Sequence, residues 1–511
     1  MIYLTSLIIY RLFLHPLHRF PGPRLAAITH LYEFYYDFIH DHQFIFEIER
    51  MHKEYGPIIR INPRELHIAD PTFYDQIYAT GPHVRDKDPE FVRLFAIPHS
   101  LLATVPHELH ARRYRVMRNY FARRTIANRE PALRAGITKL LRRFQQAAQA
   151  RTTTGDDDNG VIVLNNAFTA MTGDIITRYA YGRDYGYLDA PDYRTKWKTA
   201  VNGSTSAGHF FRHFPVLDVY KLLPRGVVRW VGPGGVGEIF YIEGLVRDQV
   251  RRLLGSAPAV GVKNRSKESA EKEQVEGTIF EALIDPSVPK EERTEDRLTD
   301  QGHMLLVAGT ETTANALTHI AFHLLDNREI LGRLREELTA AMPRLEDTLS
   351  WNQLEKLPVL NGVVQEGLRL SLGTASRLPR IAPQENSTSR TGSYLLGWTP
   401  VSTATYFMNM NPCIFPDPEK FDPQRWITAA ETGERLDRYM VSFTKGSRSC
   451  LGMHFALAEL YLTTATLFRQ LDMELYQTTI EDCKFARDCL FPAAKKGSPG
   501  VRVVIKGTLE E

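Results

Sequence analysis

The chain has 511 residues, 43% of them hydrophobic and 24% charged, which is ordinary globular composition. Lys and Arg total 63 against 60 Asp and Glu, giving a net charge of +3, and no long basic run occurs, so nucleic acid is excluded as a partner. No internal repeat is visible, and one large, mostly helical unit of this length would bury a core big enough to enclose a bulky ligand.

The amino terminus, MIYLTSLIIYRLFLHPLHRFPGP, carries an apolar run broken by Arg11 and ending by Leu14. That is short of the ~20 apolar residues a bilayer-spanning helix needs. No small-residue cleavage site follows, which argues against secretion. Pro16, Pro21 and Pro23 then stop any helix and form a stiff neck. Residues 1–20 read as a short membrane anchor and hinge, with a buried amphipathic helix as the alternative, and 21–511 as the catalytic domain. Helical periodicity follows at 44–56, 133–150 and 242–255. IIRINPRELHIAD at 58–70 reads as a hairpin, and the basic stretch HARRYRVMRNYFARR at 110–124 as a solvated helix face. RTTTGDDDNG (151–160) and the polar segment 255–277 read as exposed loops. Two more helices are expected at 298–327 and 328–342, and an edge strand at 500–505.

The cysteines are Cys413, Cys450, Cys483 and Cys489; their spacing fits neither zinc nor a disulfide framework, so they read as reduced thiols facing the cytosol. Cys450 stands apart. It lies in VSFTKGSRSCLG (441–452), directly before an apolar helical run. The free N–H groups and positive end of a helix stabilise an anion, and a thiolate is the form of cysteine that binds metal. Gly446 permits a tight turn, Gly452 leaves room for a flat group, Arg448 offers a fork for a carboxylate, and Phe443 walls off water. Together they describe a thiolate axial ligand to haem iron, with a propionate held by arginine; an inert core cysteine is the plainer alternative for Cys450 alone.

AGTETT (308–313) sits inside a long helix. Gly309 weakens a helix interior by ~1 kcal/mol, and Thr310, Thr312 and Thr313 can bond back to carbonyls one turn earlier and open a groove. Glu311 beside Thr312 makes an acid–alcohol pair able to deliver protons; for this stretch alone, a small-residue packing face is the plainer alternative. EGLR (366–369) places Glu366 and Arg369 one turn apart, and Arg425 in FDPQRW (421–426) could complete a charge cluster.

These motifs occur in the order AGTETT, EGLR, PQRW, FTKGSRSCLG, and with them the chain resembles the cytochrome P-450 superfamily of haem-thiolate monooxygenases. YRLFLHPLHRFPGP is similar to that family's proline hinge, and the flavour resembles the fungal, trichodiene-oxygenase-like enzymes of secondary metabolism. The resemblance implies a mainly α, single large P-450 fold with small β sheets. It implies haem b held by Cys450, with Glu311 and Thr312 handling distal proton delivery. Glu366, Arg369 and Arg425 would form a structural cluster. Arg448, Arg380 and His110 would hold haem propionates, with Phe443 and Gly452 against the ring. Many relatives carry an arginine four residues after the position of His110; here Tyr114 stands there, between Arg113 and Arg115, and Arg113 is carried as the haem-binding candidate.

The implied reaction inserts one atom of dioxygen (O2) into a bulky apolar substrate, a terpenoid or polyketide. The cavity wall is expected from 85–105, 203–215, Leu305, Leu306, Ala308, 373–378 and 489–492, with Phe91, Phe95, Ile97, Phe210, Phe211, Leu490 and Phe491 as its apolar groups. About 60 residues follow Cys450, too few for a reductase module. A separate NADPH-cytochrome P-450 reductase would dock near Lys445 and Arg438. The expected setting is the endoplasmic reticulum membrane, with a monomeric catalytic domain on the cytosolic side. Oxygen-independent rearrangement and non-enzymatic haem binding are the competing readings.

Overall fold

The computed structural model describes residues 1–154, 160–223, 227, 236–255, 277–383, 387–388, 394–395 and 397–509. The expected loop at 255–277 lies almost wholly outside them, and that at 151–160 in part.

The longer helices are α1 (Ile2–Ile9), which buries no side chain, α2 (Phe44–Tyr55), α3 (His107–Met117), α4 (Glu130–Thr154), α5 (Leu164–Tyr181) and α6 (Thr195–His213). They continue as α7 (Val236–Gly255), α8 (Glu295–Asp326), α9 (Arg328–Ala341), α10 (Pro358–Ser371), α11 (Gln424–Thr432) and α12 (Met453–Gln470). The strands are short: β1 (Ile58–Arg60), β2 (Leu66–Ile68), β3 (Asp86–Lys87), β4 (Ile162–Val163), β5 (Arg380–Ile381) and β6 (Ser387–Thr388). After them come β7 (Tyr394–Leu395), β8 (Val401–Ser402), β9 (Leu471–Leu475), β10 (Arg487–Cys489), β11 (Phe491–Ala493) and β12 (Arg502–Thr508).

Helix α8 is the axis of the molecule. Thr294 caps its start, accepting from the Arg297 amide at 3.3 Å. Asn327 ends it and at once caps α9 by accepting from the Ile330 amide at 3.1 Å, so one residue divides the two helices where the sequence places the break. Apolar side chains from every face of α8 are buried, against α5, α10 and α12. Small residues let α5 approach: a Cβ on Gly309 would lie 2.8 Å from Ile176 Cγ1, and one on Gly302 2.3 Å from the Tyr181 hydroxyl. Gly309 therefore serves close helix packing rather than a weakened helix.

The predicted hairpin is β1 and β2, antiparallel with Ile59 opposite His67. It opens a five-stranded sheet of order β1-β2-β8-β5-β3. The carboxyl-terminal strand departs from expectation. β12 is not an edge; it is the centre of a sheet of order β4-β12-β9, pairing with residues over 300 positions away as well as near ones. Its Val503, Val504 and Ile505 are buried, as a strand covered on both sides requires.

α1 continues as a π-helical turn over Tyr10–Leu14. Arg11 turns back and donates to the Ile28 carbonyl, and Arg60 Nη1 donates to the Arg11 carbonyl at 2.8 Å, so the segment is tied to the domain. Among the described residues no helix is long and apolar enough to cross a membrane. All four cysteines are unpaired.

Candidate active site

The loop before α12 is held in shape by its own backbone. The Cys450 amide donates to the Phe443 carbonyl at 2.9 Å. Gly446 has φ +80°, and a Cβ there would stand 2.4 Å from the Tyr78 carbonyl oxygen and 2.7 Å from that of Ala79. Cys450 presents its sulfur at the start of α12, and its accessible surface opens into an internal cavity rather than to the outside. Burial pushes its thiol up to about 11, against which the Gly452 amide donates a hydrogen bond to the sulfur. Nothing lies within 4 Å of where a Gly452 Cβ would point.

The same cavity gathers four cationic or basic side chains. Arg448, Arg380, His110 and Lys87 are 8%, 5%, 6% and 8% exposed, and all line it. No carboxylate pairs with them in the described hydrogen bonds. Arg448 Nη1 and Nη2 donate to the carbonyls of Thr104 and Val105 at 2.8 Å each, while its Nε has no partner. Arg380 Nη1 donates to the Leu378 and Pro379 carbonyls at 3.0 and 3.2 Å, and Lys87 donates to the Leu102 carbonyl. Burial, then the mutual repulsion of these cations, pushes Arg448 down to about 9 and His110 to about 2, and holds Lys87 well below its ordinary value. Asp86 offsets Arg448 only from a distance, and buried cations with no paired carboxylate are a strong demand for anions. A cavity beside a sulfur, with free space at Gly452 and such cations in its wall, fits a haem with its two propionates.

Lys87 was not singled out by name in the sequence, although it falls in the 85–105 segment expected to line the cavity. β3 places it: Lys87 pairs with Arg380 across β3 and β5. Arg113, by contrast, does not face the cavity. Its guanidinium donates to Glu292 at 2.8 Å, to Thr104 Oγ1 at 2.8 Å and to the His99 carbonyl at 3.1 Å. Tyr114 lines the cavity instead, its ring stacked on His110 at 5.9 Å.

Across the cavity, α8 contributes Ala308, Gly309, Thr312 and Thr313. Thr312 Oγ1 donates to the Ala308 carbonyl at 2.9 Å, the back-bond expected of it. Glu311 does not share that face, since successive helical residues point about 100° apart. Its carboxylate instead accepts from Thr169 Oγ1 at 3.4 Å, and burial raises its carboxyl while the charge of Lys198 opposes the rise. Phe91, Phe95, Leu305, Leu490 and Phe491 line the cavity as expected. Phe210 and Phe211 do not; they pack with Val236 and Ile239 in a separate cluster, and Ile97 and Leu306 belong to the core.

The third motif is a buried charge cluster. Glu366 and Arg369 are both 0% exposed and paired at 2.8 Å, and Arg425 Nε reaches Glu366 at 3.1 Å. Trp426 Nε1 donates to Glu366 at 2.8 Å, and Arg369 Nη1 donates to the carbonyls of Asn409 and Pro418 at 2.8 and 2.7 Å. The cluster pins the irregular chain that leads to Cys450.

Comparison with known proteins agrees with this geometry. The cytochrome P-450 family model matches residues 250–496. A conidiogenone synthase of Penicillium rubens is 42% identical, over 98% of this chain and 97% of that protein. The chain belongs to the cytochrome P-450 family. A second P-450, the monooxygenase TRI4 of Fusarium sporotrichioides, is 41% identical over 97% of this chain and 92% of its own length. A retinoic acid-bound cyanobacterial P-450 superposes with a TM-score of 0.66 at 19% identity, covering 90% of this chain and 94% of that one, which shows the shared fold. This P-450 is a fungal-type haem monooxygenase of secondary metabolism, and its family and fold imply haem with a thiolate ligand.

Proposed function

We propose that this P-450 binds haem b through Cys450 and oxygenates a bulky, apolar terpenoid or polyketide. The observation that carries the proposal is a cavity-facing thiol beside buried cations that no carboxylate pairs with by hydrogen bonding. Arg448, Arg380, Lys87 and His110 would hold the propionates, Tyr114 standing where relatives carry arginine, while Phe443 and Gly452 would flank the ring. Arg113 would act indirectly, fixing Thr104, whose carbonyl positions Arg448.

Haem, when bound, supplies dioxygen activation; the side chains bind substrate, exclude water and move protons. Phe91, Phe95, Leu305, Leu490 and Phe491 give the substrate an apolar wall, and such a wall recognises shape and size rather than hydrogen-bonding groups. Thr312 Oγ1 is the hydroxyl on the distal wall. Rotation away from Ala308 would turn its proton toward the cavity. Glu311, kept protonated more readily by burial, would restore it from behind.

Electrons would come from NADPH through a separate reductase docking beside the Cys450 loop. Arg438 offers charge there; Lys445 is already paired with Asp75 at 2.8 Å. Attachment to the endoplasmic reticulum membrane is supported by the exposed apolar side chains of the amino-terminal segment. Ile2, Phe13 and Leu14 are 85%, 65% and 69% exposed, and Leu25, Leu31 and Ile39 are exposed as well. Phe214 is a further one, packed edge-on to Phe34 at 5.1 Å.

The test is the spectrum of the reduced, carbon monoxide-treated protein. Thiolate ligation gives a red-shifted Soret band, and Cys450→Ser abolishes it. Thr312→Ala should keep the band while diverting electrons to peroxide; tightly coupled turnover by that variant would remove Thr312 from proton delivery.

A further inference from the structure

Glu459 is a buried acid that serves neither the propionate cradle nor the Thr312 face. It lies on α12, six residues past Met453 and ~9 Å along the helix axis. Phe455 and Ala456, one turn earlier on the same side of the helix, line the cavity. Glu459 itself is 0% exposed, and neither of its carboxyl oxygens has a hydrogen-bond partner among the described residues. A fully buried carboxyl with both oxygens idle is an exception that requires a physical account. Burial raises it well above the usual carboxylate range, and the group that opposes the rise is an alcohol, Thr313 of α8, not a cation. A bare buried carboxylate is costly, so the side chain stays un-ionised. An un-ionised carboxyl owns one O–H, which needs an acceptor.

Thr313 stands apart from its neighbours on α8. The hydroxyls of Thr310, Thr312 and Thr318 turn back onto their own helix. Thr310 donates to the Leu306 carbonyl, Thr312 to that of Ala308 at 2.9 Å, and Thr318 to that of Ala314 at 2.8 Å. Among the described hydrogen bonds Thr313 makes no such bond, yet its side chain is 3% exposed and lines the cavity. α8 and α12 pack directly against each other, which sets Thr313 opposite Glu459. The next turn of α12 competes poorly for the acid. Thr463 is turned to Met171 Sδ at 3.9 Å, and Thr464 stands about 140° around the helix from Glu459.

We infer that Glu459 donates its carboxyl proton to Thr313 Oγ1 and so aims the Thr313 hydroxyl into the cavity as a fixed hydrogen-bond donor. A hydroxyl that accepts from an acid on one side keeps its own O–H for the other, and on that other side lies the cavity. α8 then carries two unlike alcohols. The hydrogen of Thr312 is spent on the Ala308 carbonyl until the side chain rotates, whereas that of Thr313 already points outward. Glu459 is a positioning residue, acting only through Thr313. The oriented hydroxyl serves an acceptor atom held beside α8, while Phe91 and Phe95 are left to the carbon skeleton of the substrate.

Infrared spectroscopy of the full chain tests both steps. An un-ionised carboxyl has its C=O stretch at higher frequency than a carboxylate. The difference spectrum of wild type minus Glu459→Gln at neutral pH should show one such band. Thr313→Val removes the acceptor and should shift that band upward. These two measurements do not depend on haem. The second step is read on the reduced, carbon monoxide-bound protein and so rests on the haem reading above. The C–O stretch of the bound gas falls when a donor faces it. Thr313→Val should therefore raise it, and Glu459→Leu should raise it as much, because the freed hydroxyl then bonds back to the helix. Glu459→Gln, whose amide N–H still donates to Thr313, should keep the wild-type value. A side chain that merely fills space would leave the stretch unchanged in all three variants. Absence of the acid band, an acid band indifferent to Thr313→Val, or a C–O stretch that Thr313→Val or a folded Glu459→Leu leaves in place would overturn the inference. If Glu459→Leu fails to fold, the acid band and its response to Thr313→Val decide the matter. Failure to form any carbon monoxide adduct, with the acid band still moved by Thr313→Val, would count against haem ligation and not against the Glu459–Thr313 bond.

Discussion

Replacing Arg448 by methionine separates cofactor binding from folding. Burial and the nearby Arg380 lower Arg448 from its ordinary value to about 9, equivalent to roughly 5 kcal/mol against the charged side chain in the cofactor-free protein. Its hydrogen bonds to the Thr104 and Val105 carbonyls offset about 3 kcal/mol of that. Arg448→Met should therefore leave the cofactor-free protein as stable, or up to about 2 kcal/mol more stable, in urea denaturation followed by circular dichroism. The haem-loaded protein should respond the other way. There the guanidinium would face a propionate, and breaking a buried ion pair costs about 3–5 kcal/mol. Haem transfer to excess apomyoglobin should then quicken by about two to three orders of magnitude. A change in haem loss of less than about tenfold, or equal destabilisation of both forms, would refute the propionate assignment.

Three further outcomes are expected. Because burial pushes the Cys450 thiol up to about 11, iodoacetamide should alkylate it in the cofactor-free protein about tenfold faster per pH increment of one between pH ~7 and ~10, as the thiolate fraction grows; a plateau below pH ~9 would mean the sulfur is already ionised. Glu366→Ala strands Arg369, which is 0% exposed, and should cost about 3–5 kcal/mol, seen as loss of the carbon monoxide-shifted band at low urea. Gly446→Ala meets both a positive φ and the Tyr78 carbonyl oxygen at 2.4 Å, so it should lower the thermal midpoint by several degrees, whereas Gly433→Ala, at φ +75° with open space around it, should cost only about 1 kcal/mol.

The motifs that point to haem-thiolate chemistry were legible in the residues alone. Cys450 with Gly446, Arg448 and Gly452, the Glu366–Arg369 spacing, and the threonines around Glu311 are local patterns. Each works through backbone conformation or helical periodicity, so a short window of residues holds the whole signal. The long helices were legible for the same reason: apolar spacing and caps such as Asn327 act within one or two turns. Only the tertiary structure decided which charges face which cavity. Lys87 became a cavity-facing cation through its pairing with Arg380, nearly 300 residues on, while Arg113 was drawn off by Glu292. Phe210 and Phe211 left the cavity wall for a cluster with Val236 and Ile239, and β12 became central because β4 and β9 flank it. The physical reason is common to all four. Burial and pairing are properties of neighbours in space, and the energy of a charge or an aromatic ring depends on what surrounds it, not on the residues beside it in the chain.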